Sequence, residues 1–115
     1  MREETKKRIH ASFKQVLVLL AEKENNLLSI RKIEEGMPNT TAEALTEQLK
    51  GHRDYKASVR TNERLTSWAQ LRTDINTFHE NVLDEMPRIP IDEEGTYLQR
   101  MTDYCANATN QINNI

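Results

Sequence analysis

Residues that could carry out catalysis or bind a metal are few and scattered along this chain of 115 residues. The three histidines, His10, His52 and His79, lie on separate segments, without a cysteine, histidine or carboxylate at the spacing of paired metal ligands. No HExxH or CxxC pattern occurs, and the three glycines are isolated, which excludes a glycine-rich loop around a phosphate. The sequence therefore predicts no metal, no cofactor and no enzymatic activity.

The one cysteine and the adjacent acidic pairs also favour structural over catalytic roles. Cys105 falls on an apolar stripe, where a thiol usually packs as a small hydrophobic group. The carboxylates of Glu34–Glu35, Asp84–Glu85 and Glu93–Glu94 would point about 100° apart on a helix, so they do not converge on one substrate atom. We interpret them as solvated helix faces and helix ends.

The cysteine content and the apolar runs indicate where the protein resides. One cysteine cannot form an internal disulfide bond, and Val16–Ala21, the longest apolar run, is too short for a secretory leader. A transmembrane helix needs about 20 apolar residues, so no membrane-spanning segment is expected. We therefore expect a cytoplasmic protein that has no membrane partner.

A basic run in the middle of the chain is the most distinctive charged pattern. Its last four residues recur at three- and four-residue steps, which would place them on one helical face that could contact phosphate. The segment 40–66 also resembles helix, turn, helix, but Glu47 stands where such DNA-binding motifs usually hold a small residue. A solvated charged face is the other interpretation. The run comprises Lys50, Arg53, Lys56, Arg60 and Arg64.

Charge is distributed unevenly, although the net charge is only −2. Residues 1–73 carry 14 basic and 10 acidic groups, whereas residues 74–115 carry 2 and 8. Such polarity can guide a partner or pair two ends of one folded chain.

The segment Pro87–Pro90 matches the PxxP pattern of polyproline ligands, but an extended connector between helices explains the two prolines as well.

Apolar residues recur at three- and four-residue steps along most of the chain, which predicts amphipathic helices. Gly36, as a left-handed cap, and Pro38 would end the first helix. A capping box from Thr40 to Glu43 would begin the second helix, and Pro87 would end the third. The expected helices are 3–35, 40–50, 54–86 and 92–113.

Two points in this helical pattern stay open. The first apolar stripe loses its apolar residues at Lys23–Asn26, where a kink or short loop could intervene. Gly51 weakens the helical pattern as well, and Asp54 could then cap a new helix. The sequence alone does not decide whether the second and third helices are continuous.

The predicted fold is all-α: one domain, residues 1–115, forming an elongated antiparallel helical bundle of three long helices and one short helix. The first helix would measure about 48 Å at 1.5 Å per residue, too long for a compact globule. If the first helix folds back on residues 40–72, the segment Leu71–Met86 has only the last helix to cover its apolar side. A second copy in a homodimer would complete a four-helix, coiled-coil-like core. The expected dimer stripe comprises Leu71, Ile75, Phe78, Val82, Met86, Leu98, Met101 and Cys105.

Two functions follow from these patterns. The main hypothesis is a non-enzymatic protein–protein interaction module, such as a small helical adaptor, chaperone-like factor or inhibitor that covers the surface of another protein. The alternative is a nucleic-acid-binding regulator that uses the basic face Lys50–Arg64. The slightly acidic net charge counts against this alternative.

Overall fold

The computed structural model describes residues 1–57 and 59–115, and within these ranges it contains four α-helices and no strand. The molecule measures 61 × 21 × 18 Å, so the predicted all-α, elongated bundle is confirmed. Two short 3₁₀ turns, Met86–Arg88 and Ile91–Glu93, connect the last two helices. The helices are α1 (Glu3–Glu35), α2 (Ala42–Leu49), α3 (Thr61–Glu85) and α4 (Glu94–Asn113).

The three long helices pack side by side, with α3 antiparallel to both α1 and α4. The backbone N–H of Arg2 donates to Glu94 at 2.9 Å, which places the starts of α1 and α4 together. At the other end, the Thr61 hydroxyl donates to Glu34, so α3 begins where α1 ends. Helix α1 therefore forms the spine of the molecule, and α3 and α4 pack against it along their lengths.

The stripe on α1 forms one side of the core, as its periodicity predicts. Burying an aliphatic or aromatic side chain of this kind stabilises the fold by about 1.5–3 kcal/mol. Trp68 of α3 reaches this stripe, and its indole N–H donates to the Leu20 carbonyl at 2.8 Å. The buried apolar side chains of α1 are those of Ile9, Phe13, Val16, Leu20, Leu27 and Ile30.

Helix α3 begins at Thr61, so the predicted start at residue 54 is wrong. Asp54 has φ 69°, a left-handed backbone that does not continue into a helix. A turn separates α2 from this residue, where the His52 N–H donates to the Leu49 carbonyl at 2.7 Å. The second and third helices are therefore separate, and the predicted helix 54–86 lacks its first two turns.

Smaller corrections concern the helix ends. Thr41 caps α2 by accepting a hydrogen bond from the Ala44 N–H at 3.2 Å, one residue later than the predicted cap at Thr40. Gly36 follows α1 as expected but with φ −75°, so the predicted left-handed cap is wrong there. The connector Pro87–Pro90 is not extended throughout as predicted. Pro87 and Arg88 belong to a 3₁₀ turn, and only Ile89 and Pro90 are extended.

Helix α1 runs without interruption through Lys23–Asn26, where the sequence left a kink open. Lys23 takes the stripe position that an apolar residue would hold, and its side chain is buried. No helix in the part of the chain that the structure describes is long and apolar enough to cross a membrane.

Candidate interaction surface

The basic run does not form the single helical face that its spacing predicts. Arg53 lies in a turn, Lys56 and Arg60 lie in non-helical backbone, and only Arg64 belongs to α3. Lys50 ends α2 and forms an ion pair with Glu47 at 2.6 Å. A continuous phosphate-binding stripe is therefore absent from the described residues.

Arg64 is the residue of this run that departs most from the prediction, because it is only 2% exposed. Its Nε donates to the main-chain oxygen of Ile115 at 2.7 Å, and its Nη1 donates to the Asp54 carbonyl. Burial lowers the pKa of Arg64, although the nearby charges of Asp54 and Glu34 oppose this shift. Arg64 thus joins the start of α3 to the end of α4 and to the loop after α2, and does not face solvent.

An ion pair, which the sequence did not predict, holds the same loop on α1. The Lys23 ammonium, 5% exposed, donates to the Asp54 carboxylate at 2.6 Å, and Asn26 donates to the other carboxylate oxygen at 2.6 Å. Burial alone would raise the pKa of Asp54. The hydrogen bonds from Lys23 and Asn26 and the charges of Lys23 and Arg64 outweigh burial, so the pKa lies below its ordinary value.

The predicted dimer stripe is largely interior to a single chain. The first half of α1 packs against the second half of α3, which the sequence had left with only α4 to cover it. The need for a second copy to cover this stripe therefore disappears. Leu71, Phe78 and Leu98 are partly buried, whereas the other five are buried: Ile75, Val82, Met86, Met101 and Cys105.

Phe78 of this stripe lies at an open surface between α3 and α4. Its ring stacks on that of Tyr104 with centroids 3.6 Å apart and planes inclined by 10°. The ring of Phe13 lies behind both, with its centroid 6.2 Å from Phe78 and 6.0 Å from Tyr104. Phe13 is buried, while the outer pair is only partly buried. Periodicity alone does not identify Tyr104 as part of this surface, because a tyrosine next to Cys105 lies off the most apolar line of α4.

An open groove of about 490 Å³ runs beside this stacked pair, and we call it the aromatic groove. Burial raises the pKa of the Tyr104 hydroxyl, and the negative charges of the Cys105 thiolate and the Asp74 carboxylate act in the same direction. The Asp103 carboxylate, also on the groove, accepts a hydrogen bond from Gln99 at 2.9 Å. The groove is lined by Phe78, Arg100, Met101, Asp103, Tyr104 and Asn107.

A line of exposed residues on α1 borders α4, where Lys14 and Val18 share an open pocket with Glu22 and Thr109. Val18 is 50% exposed, more than most large apolar residues of the chain. Because side chains seven residues apart lie on one helical line, Lys7 and Lys14 share this side with the small residues between and after them. We call this surface the outer face of α1, and it comprises Lys7, Ala11, Lys14, Val18 and Ala21.

The residues with catalytic or metal-binding chemistry are not brought together. His79 stacks on Phe13 with ring centroids 4.6 Å apart, and burial lowers its pKa, with the charge of His10 acting in the same direction. Burial raises the pKa of the Cys105 thiol to about 11, so the thiolate is scarce at neutral pH. Within residues 1–57 and 59–115, no group of three histidine, cysteine or acidic side chains could hold a metal ion.

Comparisons with protein-family models, with characterised proteins and with solved structures find no match for this chain. Its function must therefore be argued from the surfaces described above.

Proposed function

We propose that this protein is a non-enzymatic protein–protein interaction module whose docking surface is the aromatic groove between α3 and α4. The partly exposed stack of Phe78 on Tyr104 is the observation that carries this proposal. Aromatic side chains are enriched in protein interfaces because they bury a large area with little loss of conformational entropy. A pair of rings that is already stacked loses even less conformational entropy on binding.

The groove suits a helical partner. An amphipathic helix could lie in this open groove and place apolar residues, at three- and four-residue steps, against its aromatic side chains. Phe78 and Tyr104 would form the apolar floor, and Arg100 and Asp103 would form polar contacts at the edges. An adaptor, chaperone-like factor or inhibitor in the cytoplasm could act in this way, by covering one surface of its partner.

Site-specific cross-linking tests the proposal. A photoreactive amino acid in place of Tyr104 should capture a defined protein in an extract of the native host. The same amino acid in place of Asn76, an exposed residue on the opposite side of α3, is the matched control. Capture should disappear when the groove carries the substitutions Arg100→Glu and Asp103→Lys. Equal capture from both positions, or none from Tyr104, would contradict the proposal.

The nucleic-acid alternative now depends on four exposed residues without a common helical face. If each contacted one phosphate of duplex DNA, log affinity would fall with log salt at a slope near −4, at about 0.9 per contact. We expect only weak, non-specific binding, in the range of about 10⁻⁴ to 10⁻⁶ M at physiological salt. Nanomolar binding that is lost in Arg53→Glu/Arg60→Glu would reverse this ranking. The four residues are Lys50, Arg53, Lys56 and Arg60.

A further inference from the structure

We infer that this protein forms a two-fold homodimer in which the α1 helices of two copies pack antiparallel, with Val18 at the two-fold axis. The contact uses the outer face of α1 and shares no residue with the aromatic groove, which is lined by residues of α3 and α4. The inference therefore goes beyond the proposed function, because it adds a second interaction surface whose occupant is another copy of this chain.

Helix α1 presents a line of exposed side chains along almost its whole length. The outer face of α1 continues at three- and four-residue steps through Asn25 and Leu28 to Lys32, and Glu4 precedes it on the same line. From Glu4 to Lys32 the line extends about 42 Å at 1.5 Å per residue. A second α1 helix can therefore pack against it over nearly its full length.

The middle of this line is apolar. Val18 is 50% exposed and lies near the midpoint of α1, which spans Glu3–Glu35. Ala11 and Ala21 have small side chains, so they allow the backbones of two helices to approach closely. Packing of Val18 against Val18 of the second copy would remove both side chains from water, which favours association.

The charges on either side of Val18 identify an antiparallel second copy as the occupant. In an antiparallel pair centred on Val18, a residue before Val18 lies opposite the residue that follows Val18 at the same separation. Lys14 and Glu22 are each four positions from Val18, so each ammonium lies opposite a carboxylate of the other copy. Both line the open pocket beside Val18, and neither forms an ion pair within the described residues.

The two ends of the exposed line are complementary in the same way. Glu4 and Lys32 are each fourteen positions from Val18, and neither forms an ion pair in the part of the chain that the structure describes. Lys7 lies opposite Ser29, so no charge on this line lies directly opposite one of the same sign. A parallel pair would instead place each charged residue beside its own copy. The charges therefore favour the antiparallel arrangement and fix its register.

The symmetry of this contact limits association to two chains. Both copies contribute the same surface, so the interface is isologous and closed. The dimer displays two aromatic grooves, one from each copy. A partner with two docking segments would gain avidity from this arrangement, a consequence that rests on the proposed function, whereas the dimer itself does not.

Sedimentation velocity of the full chain tests the inference through exchange of charges. The single variants Lys14→Glu and Glu22→Lys each place like charges opposite one another, so each should sediment as a monomer at concentrations where the native chain is a dimer. The double variant Lys14→Glu/Glu22→Lys keeps the net charge and restores opposite pairs, so it should dimerise like the native chain. An equimolar mixture of the single variants should dimerise for the same reason.

A control variant and a structural check accompany these measurements. Arg53→Glu makes the same change of charge as Lys14→Glu at an exposed position in the loop after α2, and it should dimerise like the native chain. Circular dichroism checks that every variant keeps its helices. Added salt should weaken the native dimer, because its ion pairs lie at an exposed surface.

Cysteine cross-linking tests the antiparallel register independently. Under a mild oxidant, Val18→Cys should form a disulfide-linked dimer, because the two-fold axis brings the two side chains face to face. Leu28→Cys is the matched control on the same helix, since the antiparallel arrangement separates the two copies of this position by about 30 Å. Cys105 is buried, and the native chain shows whether it contributes any cross-link.

Three results would overturn the inference. A double charge variant that stays monomeric, or a Leu28→Cys chain that cross-links as readily as Val18→Cys, would contradict the antiparallel register. A native chain that sediments as a monomer at every concentration and at low salt would show that no second copy covers this face. None of these results affects capture of a different protein through position 104, so the inference and the proposed function fail separately.

Discussion

The ion pair between Lys23 and Asp54 should be strongly coupled, and removing the Asp54 charge alone should cost far more than replacing both partners. At 2.6 Å the attraction is roughly 6 kcal/mol for an effective dielectric constant of about 20, most of which offsets the desolvation of two charges. Asp54→Asn keeps a residue that tolerates the left-handed backbone but leaves the buried ammonium without a counter-charge. We expect this change to lower the free energy of unfolding by about 3 kcal/mol.

A second single variant and the double variant give the coupling free energy between Lys23 and Asp54. Lys23→Met replaces the ammonium by an apolar side chain of similar length, while Asn26 still donates to Asp54, so the loss should be about 1 kcal/mol. The double variant should lose little more than Lys23→Met alone, because it leaves no buried charge unpaired. Urea denaturation followed by the fluorescence of Trp68, the one tryptophan of the chain, measures all three. A coupling free energy below about 0.5 kcal/mol would refute the reasoning.

The pH dependence of stability gives an independent check on the ion pair between Lys23 and Asp54. Because the pKa of Asp54 is lowered in the folded state, its stabilising effect is present above its ordinary pKa in the unfolded chain and is lost as pH falls through the folded value. The difference in stability between the native chain and Asp54→Asn should therefore be constant near neutral pH and shrink below about pH 4. As a control, Asp84→Asn breaks an exposed pair with Arg88 at 3.7 Å and should change stability by less than about 0.5 kcal/mol.

Three other predictions concern the core and the titrating side chains. Phe13→Ala should lower the free energy of unfolding by about 3–5 kcal/mol, whereas Leu83→Ala, at an exposed site, should change it by less than about 0.5 kcal/mol in the same urea titration. The Cys105 thiol, with its pKa of about 11, should react with iodoacetamide at neutral pH far more slowly in the folded chain than in urea. The pKa of His79 is lowered by burial, so stability should fall as pH drops below the ordinary histidine value of about 6.5. His79→Phe should keep the stack on Phe13 and remove this fall, and an unchanged pH profile in that variant would assign the effect to another group.

Local periodicity determined much of this fold without any knowledge of the tertiary structure. The stripe of α1 and the stripe of α4 from Met101 to Ile112 follow the helical repeat and are buried as expected. The ends of α1 and α3 also follow from Pro38 and Pro87, because a proline prevents the helix from continuing. These features depend on neighbours within a few residues, which a sequence displays directly.

Tertiary contacts decided the features on which the proposed function depends. Spacing placed Arg64 on an exposed basic face, but contacts with Asp54 and with Ile115, 51 residues away, hold it in the interior. Likewise, the apolar stripe on α3 indicates that this side is buried, but it does not indicate which element covers it. Because α1 packs against this stripe, a dimer is not needed to cover it. Phe78 stays partly exposed because α1 covers only one side of the seam between α3 and α4. A helical repeat specifies which side of each helix is apolar, whereas the groove depends on how three such helices are arranged around Phe13.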